Sequence, residues 1–215
     1  MARLSRTRPR PADRPRGERG THDPPAKEGD LVSTDAKSAV ARISPGTLKE
    51  LGAPAFAMSR IAGKVTGTKP PAIFTTLGRA KGLYWGWLHF AARLMPFGSL
   101  PRRESELVIL RVANRRGSAY EWAHHRRLGV RVGVTAADID ALQQNSSPHW
   151  NEREAVLIDS ADTLLAERDL DDAQWSRLRA TLTERECVEF LLLVGHYDML
   201  ATTLHTLRIS PDPKA

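Results

Sequence analysis

From residue 47 onward, apolar side chains recur at mixed three- and four-residue intervals and hardly ever at the two-residue alternation of a half-buried strand. The pattern predicts an all-α chain. Residues 47–61 and 71–95 read as the first two helices, and Pro96-Phe97-Gly98 stops the second. Leu100-Pro101 opens a helix over about 102–115, whose Leu107, Val108, Leu110 and Val112 supply buried surface. Gly117 breaks it, and Ser118 caps or opens the next, about 118–131, which Gly133 ends. Thr135-Ala-Ala-Asp138 and Thr183-Glu-Arg-Glu186 have the form of capping boxes, starting helices near 136–144 and 184–206, with two more at 151–167 and 171–181 between them.

Residues 1–45 are different. They are rich in Arg, Pro, Asp and Glu and poor in large apolar residues, so burial cannot offset the entropy of ordering them. The reading is a disordered basic, Pro-rich tail at 1–45 followed by one helical domain at 46–210. The net charge of +7 is spread accordingly. The tail holds 10 Lys/Arg against 6 Asp/Glu, and the remaining 22 Lys/Arg and 19 Asp/Glu leave the domain close to neutral, which argues against nucleic acid as a partner. No run approaches the roughly 18 apolar residues needed to span a bilayer, the longest being Phe190–Gly195, so no membrane partner is expected. Cys187 is the sole cysteine; it cannot form an intrachain disulfide, and the chain reads as cytoplasmic.

Candidate chemistry gathers on the helix at 118–131. At 100° per residue, Ser118, Glu121 and His125 fall within about 60° of one another and form a polar stripe. Four residues separate Glu121 from His125, so the carboxylate can accept from the imidazole, fix its tautomer and favour its charged form. Glu106 precedes them on the neighbouring helix.

The spacing Glu106-x11-Ser118-x2-Glu121-x3-His125 resembles the Glu-x11-Cys-x2-Cys-x3-His signature of alkylhydroperoxidase D. The surrounding Leu-Pro-Arg-Arg-Glu-Ser-Glu-Leu-Val-Ile-Leu-Arg-Val-Ala (100–113) and Tyr120-Glu121-Trp122 are similar to the wider carboxymuconolactone decarboxylase family. The resemblance implies an AhpD-like helical fold, homo-oligomers with the helices at 71–95 and 184–206 in subunit contacts, and a proton relay of Glu106 and His125. Both signature cysteines are absent. A thiol peroxidase needs one thiolate to attack peroxide and a second to resolve the sulfenate, and neither Ser118 nor Glu121 can be oxidised and recycled in that way. The decarboxylase branch needs no cysteine pair, metal or cofactor, and implies acid–base chemistry on a small carboxylated lactone.

The expectation is therefore a cofactor-free, decarboxylase- or lyase-like enzyme with a small oxygenated, carboxylated substrate. Its catalytic set would be Glu106, Glu121, His125 and Ser118, with Tyr120, Trp122 and His196 at the substrate. A peroxiredoxin-type antioxidant protein and a non-catalytic member of the family are the alternatives. His124 points about 100° away from His125, which disfavours a metal site from that pair. Arg111 turns away from Glu106, Trp85 and Trp87 suit the core or subunit contacts, and Cys187 in its apolar helix suits the core.

Overall fold

The computed structural model describes residues 40–213, and within them the regular structure is helical, with no strand. The helices are α1 (Leu48–Leu51), α2 (Ala53–Thr66), α3 (Ala72–Leu77), α4 (Gly82–Leu94), α5 (Arg102–Arg115), α6 (Ala119–Val130), α7 (Ala136–Leu142), α8 (Glu152–Glu167), α9 (Asp172–Thr181) and α10 (Glu184–Leu207). A 3-10 turn at Gly78–Ala80 joins α3 to α4.

Helix α5 is the axis of the domain. Its residues Ser105 to Ala113 are all buried, so it needs partners on every side, and it packs against α6, α8 and α10. One side, through Val108, Ile109 and Val112, joins the main core with Val156, Leu157 and Ala161 of α8 and Phe190, Leu193, Val194 and Leu200 of α10. The other side, through Leu107 and Leu110, closes a smaller core with Ile139 and Leu142 of α7 and Ile158. Helices α1 to α4 pack around Leu51, Ala55 and Tyr84.

Local chemistry fixes several helix starts. Thr135 and Thr183 accept from the backbone N–H of Asp138 and Glu186, whose carboxylates return the bond, as the sequence predicts. Asn151 with Glu154 and Asp171 with Gln174 form two further boxes that the same pattern would have found.

Three expectations are corrected. The single helix at 71–95 is two helices, because the chain comes so close to Leu51 at Gly78 that a Cβ there would lie 3.0 Å from Leu51 Cδ2, and Lys81 then takes a positive φ of 43°. The helix at 47–61 breaks at Gly52, where φ is +79°, and its second part runs on to Thr66. Finally, α10 is long and apolar enough, at 24 residues and a mean hydropathy of 1.3 in its best window, to pass as a membrane span by length and composition. Scattered polar residues hide this from a count of consecutive apolar ones. Half of that window is buried in the body, where it forms a wall of the main core.

The tail expected over 1–45 lies outside the described residues up to 39. Next to the domain, Arg42 donates its backbone N–H to Leu207 O at 3.0 Å, and Arg79 Nε donates to Ser44 O at 2.9 Å. The outer faces of α4 and α10 carry exposed Leu83, Phe90, Leu192 and Met199 around an apolar groove of about 560 Å³.

Candidate active site

The turn between α5 and α6 makes the site. Gly117 adopts a φ of +61°, which folds α6 back along α5 and sets His125 beside Glu106. Glu106 is fully buried, and its Oε2 lies 2.7 Å from His125 Nδ1. Its other oxygen, Oε1, accepts from Arg102 Nη2 at 3.3 Å, one helical turn away. With Glu106 ionised, Nδ1 carries the donated proton, and Nε2 is the ring nitrogen left without a protein partner. The edge of the ring packs against Tyr197 at 5.1 Å, which further limits its rotation.

This corrects the expected pairing of His125 with Glu121. A spacing of four residues gives the two side chains reach, but the buried carboxylate on α5 takes the imidazole instead. Glu121 is left with both oxygens buried and no hydrogen-bond partner. It is 2 % exposed, and burial lifts its pKa from 4.5 to about 7; the nearby Ser118 hydroxyl and His125 pull it down, and Asp198 adds to the rise. Ser118 opens α6 as expected, at its N-cap position, without capping it: its buried Oγ has no partner in hydrogen-bond geometry.

These groups wall a cavity of about 120 Å³ that Tyr120, Glu121, His124, His125, His196 and Tyr197 line together with apolar side chains. His196 stacks on Trp87 and leaves Nδ1 buried without a partner. Burial, followed by repulsion from His125, lowers its pKa to about 4, so it is neutral at ordinary pH. Tyr120 lines the cavity with its ring, but its hydroxyl is occupied, donating to Asp212 Oδ2 at 2.5 Å and accepting from Ile73 N–H at 3.3 Å.

Of the expected site residues, Glu121, His125, Tyr120 and His196 line the cavity, while Glu106 stands behind His125 and Ser118 is buried next to Glu121 without lining it. Trp122 does not join them: it points to the opposite side of α6 and packs on the small core of Leu107, Leu110 and Ile139. Arg111 is buried away from the cavity, bound to Asp162 and to the carbonyl oxygens of Leu142, Gln144 and Asn145. Cys187 is buried in the main core. Two contributors escaped the sequence reading. His124 lines the cavity, and Asp212, beyond the expected end of the domain, holds it at 2.8 Å. Among the described residues no group of three or more His, Cys, Asp or Glu side chains is arranged to hold a metal ion.

Residues 81–162, which carry the α5–α6 pair and its Glu106–His125 contact, match the model of the carboxymuconolactone decarboxylase family. The matched segment spans 82 of the 215 residues. No functionally curated protein matches the sequence. Among solved structures, this chain is similar to an uncharacterized peroxidase-related protein with an alkylhydroperoxidase AhpD core from Ralstonia eutropha JMP134. The two share 15% identity over 80% of this chain and 93% of the other, with a TM-score of 0.71. An uncharacterized peroxidase-related protein from Silicibacter sp. gives 15% identity over 80% and 94%, with a TM-score of 0.68. The debrominase Bmp8 in complex with 2,3,4-tribromopyrrole gives 17% identity over 80% and 92%, with a TM-score of 0.65. At these identities the likeness establishes the AhpD-like fold and nothing finer.

Proposed function

We propose that this chain is a cofactor-free acid–base enzyme of the decarboxylase or lyase kind, acting on a small oxygenated, carboxylated substrate. One observation carries the reading: Glu121, a buried carboxyl without a hydrogen-bond partner, is poised near neutral pH in the same cavity as a histidine whose second nitrogen is free. A group that titrates near the working pH holds its proton part of the time and can both give and take it. Structural carboxylates elsewhere in the domain, such as Asp138 and Asp162, are held ionised by arginines and cannot do this.

The division of labour follows from protonation. His125, anchored through Nδ1 by Glu106, offers the Nε2 lone pair as base toward a hydroxyl or an acidic C–H. In a decarboxylation the bond from carbon to the carboxyl group breaks, carbon dioxide leaves, and the electron pair moves into a neighbouring carbonyl of the substrate. Glu121 in its acid form then supplies the proton to carbon, and solvent returns it. The cavity suits a compact molecule, since a cavity of about 150 Å³ binds benzene and this one is about 120 Å³.

The antioxidant alternative has less support. Neither Ser118 nor Glu121 supplies sulfur, and Cys187 is walled into the core. A purely structural role leaves the buried Glu121 carboxyl unexplained, because neither oxygen has a partner in hydrogen-bond geometry and a buried polar group costs stability when nothing satisfies it.

The test is to incubate purified protein in D2O with small 2-oxo acids, 3-oxo acids and carboxylated lactones, and to follow carbon dioxide release and deuterium incorporation by NMR. The reading expects turnover of at least one compound, lost in His125→Ala and reduced at least tenfold in Glu121→Gln. Equal rates in wild type and both variants would reject it.

A further inference from the structure

His124 and His125 stand about 100° apart around the helix, which disfavours a shared metal site, yet both line the same cavity. What turns His124 to that purpose is the end of the chain. Arg208 takes a left-handed conformation with a φ of 54°, which ends α10 and reverses direction, and Ile209 then anchors the returning segment in the main core. The segment delivers Asp212 to the junction of α3 and α6. There Oδ1 accepts from the backbone N–H of Ala72, at the start of α3 where Pro71 has no side chain able to cap. Oδ2 accepts from Tyr120 Oη at 2.5 Å and lies 2.8 Å from His124 Nε2. The Tyr120 ring stacks on the imidazole at 4.6 Å, so His124 is fixed both in its plane and at one nitrogen.

We propose that Asp212 and His124 form a second histidine–carboxylate dyad of the site. Asp212 is a positioning residue, and His124 supplies a second proton-accepting nitrogen to the cavity. The two dyads are set in opposite senses. His125 gives Nδ1 to Glu106 and keeps Nε2 free; His124 gives Nε2 to Asp212 and keeps Nδ1 free. A carboxylate acceptor dictates the tautomer in each case, so neighbouring imidazoles of one helix present unlike nitrogens to the same space. The ligand class this recognises is a small molecule with two proton-donating positions, such as a hydroxyl together with an acidic C–H or a second hydroxyl. The dyad deepens the acid–base reading and rests on it for the use of the cavity, but its geometry is tested separately.

Histidine tautomers are distinguished by the nitrogen shifts of the imidazole ring, and the full-length protein labelled at histidine nitrogen serves as the sample at a pH where the rings are neutral. The wild type should show His124 with the proton on Nε2 and His125 with the proton on Nδ1. Asp212→Asn should cost His124 its single tautomer and leave that of His125 unchanged. Asp212→Glu should restore it at least in part, and Tyr120→Phe should keep it, since that change removes only the phenol donor. Ethylene glycol, a two-hydroxyl probe smaller than benzene, should at saturating concentration move the His124 Nδ1 and His125 Nε2 signals together.

A wild-type His124 protonated on Nδ1, a tautomer indifferent to Asp212→Asn, or a His124 Nδ1 signal unmoved by ethylene glycol that does shift His125 Nε2 would each overturn the dyad. None of these results bears on whether Glu121 titrates near neutrality, so the dyad and the acid–base reading fail by different measurements.

Discussion

Replacing Glu121 with Gln should expose a pH dependence of stability that the wild-type protein hides. The carboxyl of Glu121 rises from 4.5 to about 7 on folding. The unfolded chain therefore loses this proton near pH 4.5, while the folded protein keeps it until about pH 7, and stability falls as pH rises through that window. At 1.36 kcal/mol per unit, the shift amounts to about 3 kcal/mol. His196 acts in the opposite sense. Its folded value of about 4 lies below the ordinary 6.5, so its neutral form contributes stability above pH 6.5 that is lost as pH falls toward 4, again by about 3 kcal/mol. Between pH 4.5 and 6.5 the two nearly cancel. The Glu121→Gln variant keeps only the His196 contribution, so its stability relative to wild type should improve by about 3 kcal/mol from pH 4.5 to pH 8. An unpartnered buried amide costs roughly 1–3 kcal/mol, but at every pH alike, so it offsets the difference curve without tilting it. Urea unfolding of both proteins at half-unit steps gives that curve directly. A flat difference would show that Glu121 ionises at its ordinary value and would remove the main support for the acid–base reading.

Other consequences can be checked independently. The wild-type chain should show no thiol-dependent peroxide reduction above background, and Ser118→Cys combined with Glu121→Cys should create some, because the Glu106–His125 pair already stands in place; robust wild-type peroxidase turnover lost in Cys187→Ser would contradict this. Asp138 accepts from both ends of the Arg103 guanidinium, from Thr135 and from His149, which together hold its carboxyl well below the usual range against the cost of burial. Asp138→Asn should therefore destabilise the domain by about 2 kcal/mol, the modest end of the range because Arg103 is partly exposed, and the loss should shrink as pH falls below about 4. Light scattering at micromolar concentration should give a mass above one chain, through the exposed apolar faces of α4 and α10, and Leu192→Glu should lower it; a monomer in the wild type would contradict the assignment.

The sequence was legible where the physics is local. Periodicity, proline stops and the Thr135 and Thr183 boxes placed most helices because each depends on residues within one or two turns. The family resemblance implied a relay of Glu106 and His125, and the turn at Gly117 between α5 and α6 brings the two within 2.7 Å. What failed depended on competition or distance. The four-residue rule measures whether Glu121 can reach His125, but it cannot see that Glu106 arrives from another helix and wins the same nitrogen. A helical wheel separates His124 from His125, but it does not show that a wide cavity meets both. Asp212 lies 88 residues from His124 in sequence, past the last helix, and no period or composition links them. Trp122 sits within the motif and yet faces the small core, because α5, α7 and α8 meet on that side of α6, which the motif itself does not reveal.

The central claim is that a buried carboxyl carries an exchangeable proton at neutral pH beside an anchored histidine. Its most direct test is a titration of the Glu121 side-chain carboxyl by carbon NMR in the intact protein, with Glu121→Gln used to assign the signal. A midpoint near pH 7 is the predicted result. A midpoint in the ordinary glutamate range, at about 4 to 5, would contradict the account.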